Sequence, residues 1–184
     1  AAVPLEVLRN DLLAIKNAGM NCIRGSHYPQ SEALLNLADE LGLLVWNETL
    51  GWENPIESLE NQVFLQRQKD CLRRMIRSSC NHPSIIFWGF LNEAITNDLR
   101  ARPAIAELAA TIRAEDSSRP ITFATMFGEN DLCLDLVDVI SFNTYPCWYG
   151  GSNRFFDPVP VQETLDKLFS FARSNEKLAH KPVL

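Results

Sequence analysis

Residues 81–94 read Asn-His-Pro-Ser-Ile-Ile-Phe-Trp-Gly-Phe-Leu-Asn-Glu-Ala, and this stretch decides the fold. A polar turn with a proline leads into a nearly unbroken apolar run, which stops on an amide and a carboxylate. Such a run is typical of a strand buried on both faces, as in a parallel sheet covered by helices. Polar residues at the end of such a strand lie where α/β folds build their active sites. The stretch therefore predicts a parallel strand that presents Asn92 and Glu93 at its functional end.

Two interpretations of Glu93 are open at this point. Desolvation against Trp88 and Phe90 would disfavour the charged form of a carboxylate, which is what a general acid near neutral pH requires. Alternatively, Glu93 simply begins the next helix, where a carboxylate stabilises the helix dipole. Its position directly after a buried strand favours the general acid.

The rest of the chain alternates between helical stripes and short apolar strands. The predicted strands are Asn21–Arg24, Leu43–Trp46, the stretch quoted above, Ile121–Ala124, Val137–Phe142 and Lys181–Leu184. Predicted helices run from Pro4 to Gly19, from Ser31 to Gly42 with Leu34, Ala38 and Leu41 buried, from Leu59 to Ser79, along Ile105–Ile112 and along Leu165–Ala172, with a short helical segment at Leu132–Leu136. This order predicts a parallel sheet with right-handed crossovers.

A doubly wound sheet and a (β/α)8 barrel both satisfy that alternation. No Gly-x-Gly-x-x-Gly follows any strand, so the usual dinucleotide signature is missing. Nearly every strand ends in polar or aromatic residues, as expected where many strand ends surround one site. The barrel is therefore favoured, but a complete one needs about eight strands in about 250 residues. We expect an incomplete TIM barrel that contains roughly strands two to seven.

Composition excludes several classes of function. The chain has 184 residues, 46% of them hydrophobic, so it is sized for one domain with a real core. A net charge of -6 with no basic patch argues against a nucleic-acid partner, and no apolar run reaches membrane-spanning length. Five scattered cysteines indicate neither a zinc site nor a disulfide framework. Most lie among apolar residues, which favours buried thiols and a reducing compartment such as the cytoplasm, although localisation stays undetermined.

Three blocks in series then point to one family. They are Arg24-Gly25-Ser26-His27-Tyr28-Pro29, the stretch from Asn81 to Glu93, and Asn143-Thr144-Tyr145 followed by Trp148-Tyr149. In this order and spacing the chain resembles the catalytic barrel of glycoside hydrolase family 2, the β-galactosidase and β-glucuronidase family. The third block is most similar to β-glucuronidases. The resemblance covers essentially residues 1–184, which we interpret as a partial catalytic domain of a larger multidomain glycosidase.

The resemblance implies a retaining exo-β-glycosidase, which uses two carboxyl groups about 5 to 5.5 Å apart. Glu93 matches the acid/base, which protonates the leaving oxygen and later activates water. Asn92 matches the residue that hydrogen-bonds the sugar 2-hydroxyl, and Tyr145 the tyrosine that orients the nucleophile. Because adjacent strand residues face opposite ways, Asn92 and Glu93 can share a pocket only if the strand ends or kinks there.

Substrate-binding roles follow from the same resemblance for His27, Arg24, Asn47, Glu48 and Trp148. The family often has Asp-Glu where this chain has Asn47-Glu48, which leaves the role of Asn47 open. His27 could instead be a structural hydrogen-bonder, and Tyr145 could pack under a loop. Beyond these residues, we expect His82 to fix the turn into its strand and Trp46 to pack in the core.

The family's nucleophile is a glutamate that follows a segment like Lys181–Leu184, and no residue of this chain can be assigned that role. We therefore expect the chain alone to lack glycosidase activity. An open partial barrel would also expose strand edges and an apolar interior, so we expect self-association. The sequence does not specify which sugar is bound.

Other functions remain to be distinguished. A non-catalytic carbohydrate-binding relative would keep the pocket without turnover. A metal-dependent hydrolase would need clustered ligands, which three scattered histidines (His27, His82 and His180) do not supply, and no cofactor is expected. An endo-acting mannanase or cellulase of the same clan fits the Ser-His-Tyr-Pro block less well.

Overall fold

The structure is a computed structural model that describes residues 3–49, 51–146 and 159–184. Its helices are α1 (Leu5–Asn17), α2 (Glu32–Leu41), α3 (Ile56–Leu59), α4 (Gln62–Ser79), α5 (Arg102–Glu115) and α6 (Val159–Ser174). Its strands are β1 (Cys22–Gly25), β2 (Leu44–Glu48), β3 (Ile85–Asn92), β4 (Ile121–Thr125) and β5 (Ser141–Phe142). Short 3₁₀ turns lie at Leu99–Ala101, Gly128–Asn130 and Leu134–Leu136.

The strands form one parallel sheet whose spatial order is β1-β2-β3-β4-β5, the same as their order in the chain. A doubly wound sheet reverses its strand order at a switch point, whereas a barrel adds each strand beside the last. The sequential order therefore confirms the incomplete TIM barrel, seen as a curled half-barrel with helices. At the place of the sixth predicted strand, Val183 forms a single parallel bridge with Ile140.

Capping chemistry explains where the first helices begin and end. The Ser31 hydroxyl accepts a hydrogen bond from the Leu34 N–H and so caps α2, and Asn61 caps α4 in the same way. Gly42 ends α2 in the left-handed conformation with φ 69°, which glycine adopts without a Cβ clash. Gly42 thus determines where the chain turns from α2 into β2, and Asn61 determines where α4 begins.

Side chains alternate between the lumen of the half-barrel and the helix layer. In β2, Asn47 reaches Ser79 of α4, so Trp46 and Glu48 face the lumen. The Trp46 indole lies across Gly89, where an added Cβ would be only 2.0 Å from the indole nitrogen. The sequence predicted that Trp46 packs in the core, and it is buried there. Position 89 must be glycine, because any side chain would collide with the Trp46 indole.

The helix layer closes over the outer face of β3. Trp88 and Phe90 lie there fully buried, and Phe90 packs edge-on against Phe123 of β4. The expectation that Trp88 desolvates Glu93 is wrong, because the Trp88 indole N–H donates to Asp116, which follows α5. In the stretch from Ile85, alternation thus sends Trp88 and Phe90 away from the lumen.

Three further predictions need correction. In α2 the fully buried residues are Leu35, Leu37 and Ala38, whereas the predicted Leu34 and Leu41 are only partly buried against the same core. The strand predicted from Val137 is only two residues long, because the chain before Ser141 remains irregular after a 3₁₀ turn. Of the cysteines in the described ranges, Cys133 alone is fully buried, so the prediction that most thiols are buried is wrong for these residues.

Among the described residues no helix is long and apolar enough to cross a membrane.

Candidate active site

Polar side chains gather where the strands end at their carboxyl edges. Arg24 comes from β1, Glu48 from β2, Asn92 from β3, and Asn143 directly follows β5. Parallel strands bring their carboxyl ends to the same edge of the sheet, so these residues meet although they are up to 119 positions apart. We call this group, with His27, Glu93 and Tyr145, the lumen cluster.

A backbone irregularity at the end of β3 brings Asn92 and Glu93 into the same cluster. The register with β4 shifts between Gly89 and Asn92, and Leu91 and Glu93 have left-handed φ values of 61° and 51°. Such conformations cost about 1–3 kcal/mol each for residues other than glycine. The kink is held on both sides: Asn92 N–H donates to Gly51 O at 2.6 Å, and Glu93 N–H donates to Ala124 O at 2.8 Å. The condition that the sequence set for sharing one pocket is met.

Glu93 is 6% exposed and its two carboxylate oxygens have different surroundings. Oε1 accepts hydrogen bonds from Asn143 Nδ2 at 2.7 Å and from the Tyr145 hydroxyl at 2.8 Å. Oε2 accepts none from the described residues. One oxygen is therefore held by the protein, and any proton exchanged with a bound molecule would pass through the other.

Asn92 is bound in a similarly one-sided manner. Its Oδ1 accepts from Arg24 Nη2 at 2.6 Å and from Asn143 Nδ2 at 2.9 Å. Its Nδ2 has no acceptor within the part of the chain that the structure describes. The amide therefore offers a donor to a ligand hydroxyl beside Glu93.

Glu48 anchors the other side of the cluster and is fully buried at 0% exposure. It accepts from Arg24 Nε at 3.0 Å and is 2.9 Å from His27 Nδ1. The Arg24 guanidinium lies 4.5 Å above the Trp46 ring. Because Glu48 is enclosed, any contact of this side with a ligand would come through His27 or Arg24.

Sequence reasoning did not assign a role to Asn143, which connects the whole cluster. Besides its two donated bonds, its Oδ1 accepts from Arg24 Nη1 at 3.3 Å. The only available signal was its position directly after a predicted strand, in the block that also holds Tyr145. That tyrosine is 43% exposed and its hydroxyl donates to Glu93, while the nucleophile-orienting role that the resemblance implied stays a prediction.

Asn47, a predicted binding residue, does not join the cluster. Asn47 is 1% exposed and faces the helix layer, where it accepts from Gln30 N–H at 3.0 Å and donates to Ser79. Trp148 lies outside the described residues. His82 pairs with Asp39 at 2.6 Å at the start of β3, which agrees with its predicted role in fixing the turn.

Asp131 connects the loop after β3 to the loop after β4. Its carboxylate accepts from the Thr96 hydroxyl and, at 2.7 Å, from the Cys133 N–H. Burial raises the pKa of Asp131 and also raises the pKa of Cys133 to about 12. This buried connection fixes the loop that leaves Glu93. In residues 3–49, 51–146 and 159–184 no group of three His, Cys, Asp or Glu side chains could hold a metal ion.

Comparison with known proteins identifies one family and curated relatives of one named activity. The family "Glycosyl hydrolases family 2, TIM barrel domain" matches residues 1–184. Among curated relatives, a β-glucuronidase of Canis lupus familiaris is 34% identical over 144 residues, which is 78% of this chain and 22% of the relative. A β-glucuronidase of Bacteroides fragilis is 32% identical over 149 residues, 78% of this chain and 21% of that protein. The chain thus spans only about a fifth of the length of these relatives.

Solved structures extend the comparison to nearly the whole chain. A family 2 β-galacturonidase from Eisenbergiella tayi, solved with bound galacturonate, is 36% identical with a TM-score of 0.89, and covers 99% of this chain and 32% of its own. A β-D-glucuronidase structure from Dictyoglomus thermophilum is 28% identical with a TM-score of 0.86, at 99% and 32% coverage.

Proposed function

The chain belongs to glycosyl hydrolase family 2, and from that premise we propose that it carries the acid/base half of a retaining exo-β-glycosidase site. The proposed reaction is hydrolysis of an O-glycosidic bond through a glycosyl-enzyme intermediate. One observation supports it above the others: Glu93 has one oxygen held by Asn143 and Tyr145 and a second oxygen with no partner among the described residues.

The proposed mechanism uses the two neighbouring residues at the end of β3. Glu93 Oε2 donates its proton to the leaving oxygen as the glycosidic bond breaks. After the leaving group departs, the same oxygen takes a proton from the water that attacks the glycosyl-enzyme. Asn92 Nδ2 donates to the sugar 2-hydroxyl, a contact that strengthens in the transition state. Tyr145 and Asn143 keep the carboxylate oriented through both steps.

Retention also requires a second carboxylate about 5 to 5.5 Å from the first. Glu48 is the other carboxylate of the lumen cluster, but its full burial and its bonds to Arg24 and His27 exclude it from attacking a sugar. We therefore propose that the nucleophile is a glutamate of a polypeptide segment outside these residues, and that the isolated chain does not turn over glycosides.

A β-linked hexuronide is the substrate class we propose, with a β-glucuronide as the first choice. The curated relatives reported above are β-glucuronidases, and the Eisenbergiella structure is a β-galacturonidase with galacturonate bound. A neutral galactoside, the substrate class of the family's β-galactosidases, has no such support among these relatives.

We further propose that this chain is part of a TIM-barrel catalytic domain in a larger multidomain glycosidase. Among the described strands, β1 pairs only with β2, whereas a barrel closes by pairing both edges of the sheet. By itself the open sheet favours self-association through these edges. Sedimentation velocity of the isolated chain should therefore give a mass above that of one copy.

The test uses the complete protein, meaning this chain joined to the polypeptide that closes the barrel. Turnover is measured on aryl β-glucuronides with good and with poor leaving groups. Glu93→Gln should lower kcat/KM by about 10²–10⁴-fold for poor leaving groups and much less for good ones, because only the former depend on proton donation. Glu57→Gln, an exposed carboxylate in the first turn of α3, is the matched control and should leave turnover unchanged.

Full activity of Glu93→Gln on every substrate would overturn the assignment. If the wild-type complete protein binds a glucuronide but turns over none, the alternative of a non-catalytic carbohydrate-binding barrel is favoured instead.

A further inference from the structure

We infer that Arg24 is a positioning residue, which sets the orientation of two side-chain amides and thereby that of the catalytic Glu93. The inference rests on the proposed function and replaces the substrate-binding role predicted for Arg24 from sequence. It concerns how the acid/base is prepared for proton transfer.

The hydrogen bonds of Arg24 are committed to the protein. Its Nε and Nη2 donate to Glu48 at 3.0 and 3.4 Å, Nη2 also donates to Asn92 Oδ1, and Nη1 donates to Asn143 Oδ1. Four of the five guanidinium N–H groups therefore have a protein acceptor, and the second N–H of Nη1 has none among the described residues. The Trp46 ring covers one flat face of the guanidinium, so most of its hydrogen-bonding capacity and one of its faces are used by the protein.

An arginine only donates, whereas an asparagine amide accepts at its oxygen and donates at its nitrogen. Arg24 can therefore bind Asn92 and Asn143 only when both carbonyl oxygens point towards it. Rotating either amide by about 180° would place an NH₂ group against the guanidinium. One cation thus fixes the orientation of both amides.

Those two orientations are the ones that the chemistry needs. With its oxygen held by Arg24, Asn143 points Nδ2 at Glu93 Oε1, 2.7 Å away. A rotated Asn143 would instead oppose its oxygen to the carboxylate. Because Arg24 holds the Asn92 oxygen, the Asn92 Nδ2 group points the other way. It has no acceptor in the described part of the chain and can donate to the sugar 2-hydroxyl.

A lysine cannot substitute for this arginine. Its ammonium group is a compact point charge without the planar fork that lets Arg24 reach Glu48 and both amides at once. Arg24→Lys keeps the positive charge beside Glu48 and releases at least one amide. The variant therefore separates orientation from charge.

The test measures kcat and KM of the complete protein with 4-nitrophenyl β-glucuronide and with its 2-deoxy analogue. Arg24→Lys should lower kcat by about 10²-fold on the parent substrate with little change in KM, as expected for lost positioning. The loss should be smaller on the 2-deoxy analogue, and smaller again in an Asn92→Ala background, because the oriented amide has nothing left to act on. A raised KM with equal losses on both substrates and in both backgrounds would overturn the inference.

Arg119→Lys is the matched control. Arg119 also lies over a tryptophan, Trp88, and also pairs with a carboxylate, Asp116, but remote from Glu93. It should leave kcat and KM unchanged. If the wild-type protein turns over no glucuronide, the proposed function fails, and the inference is then judged by neutron diffraction of Arg24→Lys. A rotated Asn92 or Asn143 amide supports it, and two unchanged amides overturn it.

Discussion

Two arginines in different parts of the sheet each lie over a tryptophan ring and pair with a carboxylate. In the lumen cluster, Arg24 lies over the Trp46 ring and donates to Glu48. The second cluster, which we call the base cluster, contains Arg119 over Trp88, and both donate to Asp116. The first lies at the carboxyl ends of the strands, and the second lies where β3 and β4 begin.

The two clusters differ in where their remaining hydrogen bonds end. Arg119 donates to the backbone carbonyls of Ile85, Cys80 and His82, so it joins the start of β3 to the chain before β4. Arg24 instead donates its remaining hydrogen bonds to the side chains of Asn92 and Asn143. Bonds to the backbone stabilise the fold, whereas bonds to side chains orient groups that can act on a ligand.

Backbone strain follows the same division. Glu93, in the lumen cluster, and the nearby Leu91 have left-handed φ values, and none of the left-handed residues other than glycine in the described ranges lies in the base cluster. Strain of this kind persists where surrounding structure holds it in place, as the bonds to Gly51 and Ala124 do here. The comparison therefore predicts that equal substitutions in the two clusters have different effects.

The largest effect is expected from Glu48→Gln in the lumen cluster. The amide removes the charge that holds Arg24, so both asparagine amides lose their fixed orientation. We expect turnover of the complete protein to fall by about 10²-fold, and the free energy of unfolding to fall by about 3 kcal/mol because a buried ion pair is broken. Steady-state kinetics and urea denaturation measure the two quantities. Unchanged turnover would remove the functional distinction between the clusters.

A smaller effect is expected from Asp116→Asn, the same chemical change in the base cluster. It weakens the bonds from Ser118, Trp88 and Arg119, so the free energy of unfolding at neutral pH should fall by about 1–3 kcal/mol. Kinetic constants should not change. A loss of turnover comparable to that of Glu48→Gln, with the protein still folded, would contradict the comparison.

The pH dependence of stability sharpens the same contrast. Burial alone would raise the pKa of Asp116, but hydrogen bonds from Ser118, Trp88 and Arg119 outweigh it, so its pKa lies below the usual range. An unfolded aspartate titrates near about 3.9. The ionised group therefore stabilises the fold above about pH 4, and this contribution is lost as the pH falls towards the lower folded pKa. Urea denaturation should show the gap between wild type and Asp116→Asn narrowing below about pH 4.

Much of this arrangement could be predicted from sequence because its determinants are local. Ser31 and Gly42 mark the ends of α2, and polar residues at strand ends predicted the meeting of Arg24, Glu48 and Glu93. These features depend on capping, backbone conformation and strand direction, all of which a single sequence carries.

Other features depended on contacts between distant residues. The direction of Trp88 was set by Asp116, 28 positions away, and the role of Asn143 emerged only from three partners on other elements. The kink at Leu91 required carbonyls from two neighbouring segments. Strand alternation did contain one unused signal: Asn47 and Glu48 are adjacent in β2, so only one of them can face the lumen.

The most direct test of the central claim, that Glu93 is the acid/base, is chemical rescue of Glu93→Ala in the complete protein. An aryl β-glucuronide with a good leaving group forms the glycosyl-enzyme without acid assistance, and added azide then replaces water without needing a general base. We predict that azide restores turnover and that the product is a β-glucuronosyl azide, with the configuration of the substrate retained. No acceleration by azide, or an azide product of inverted configuration, would contradict the account.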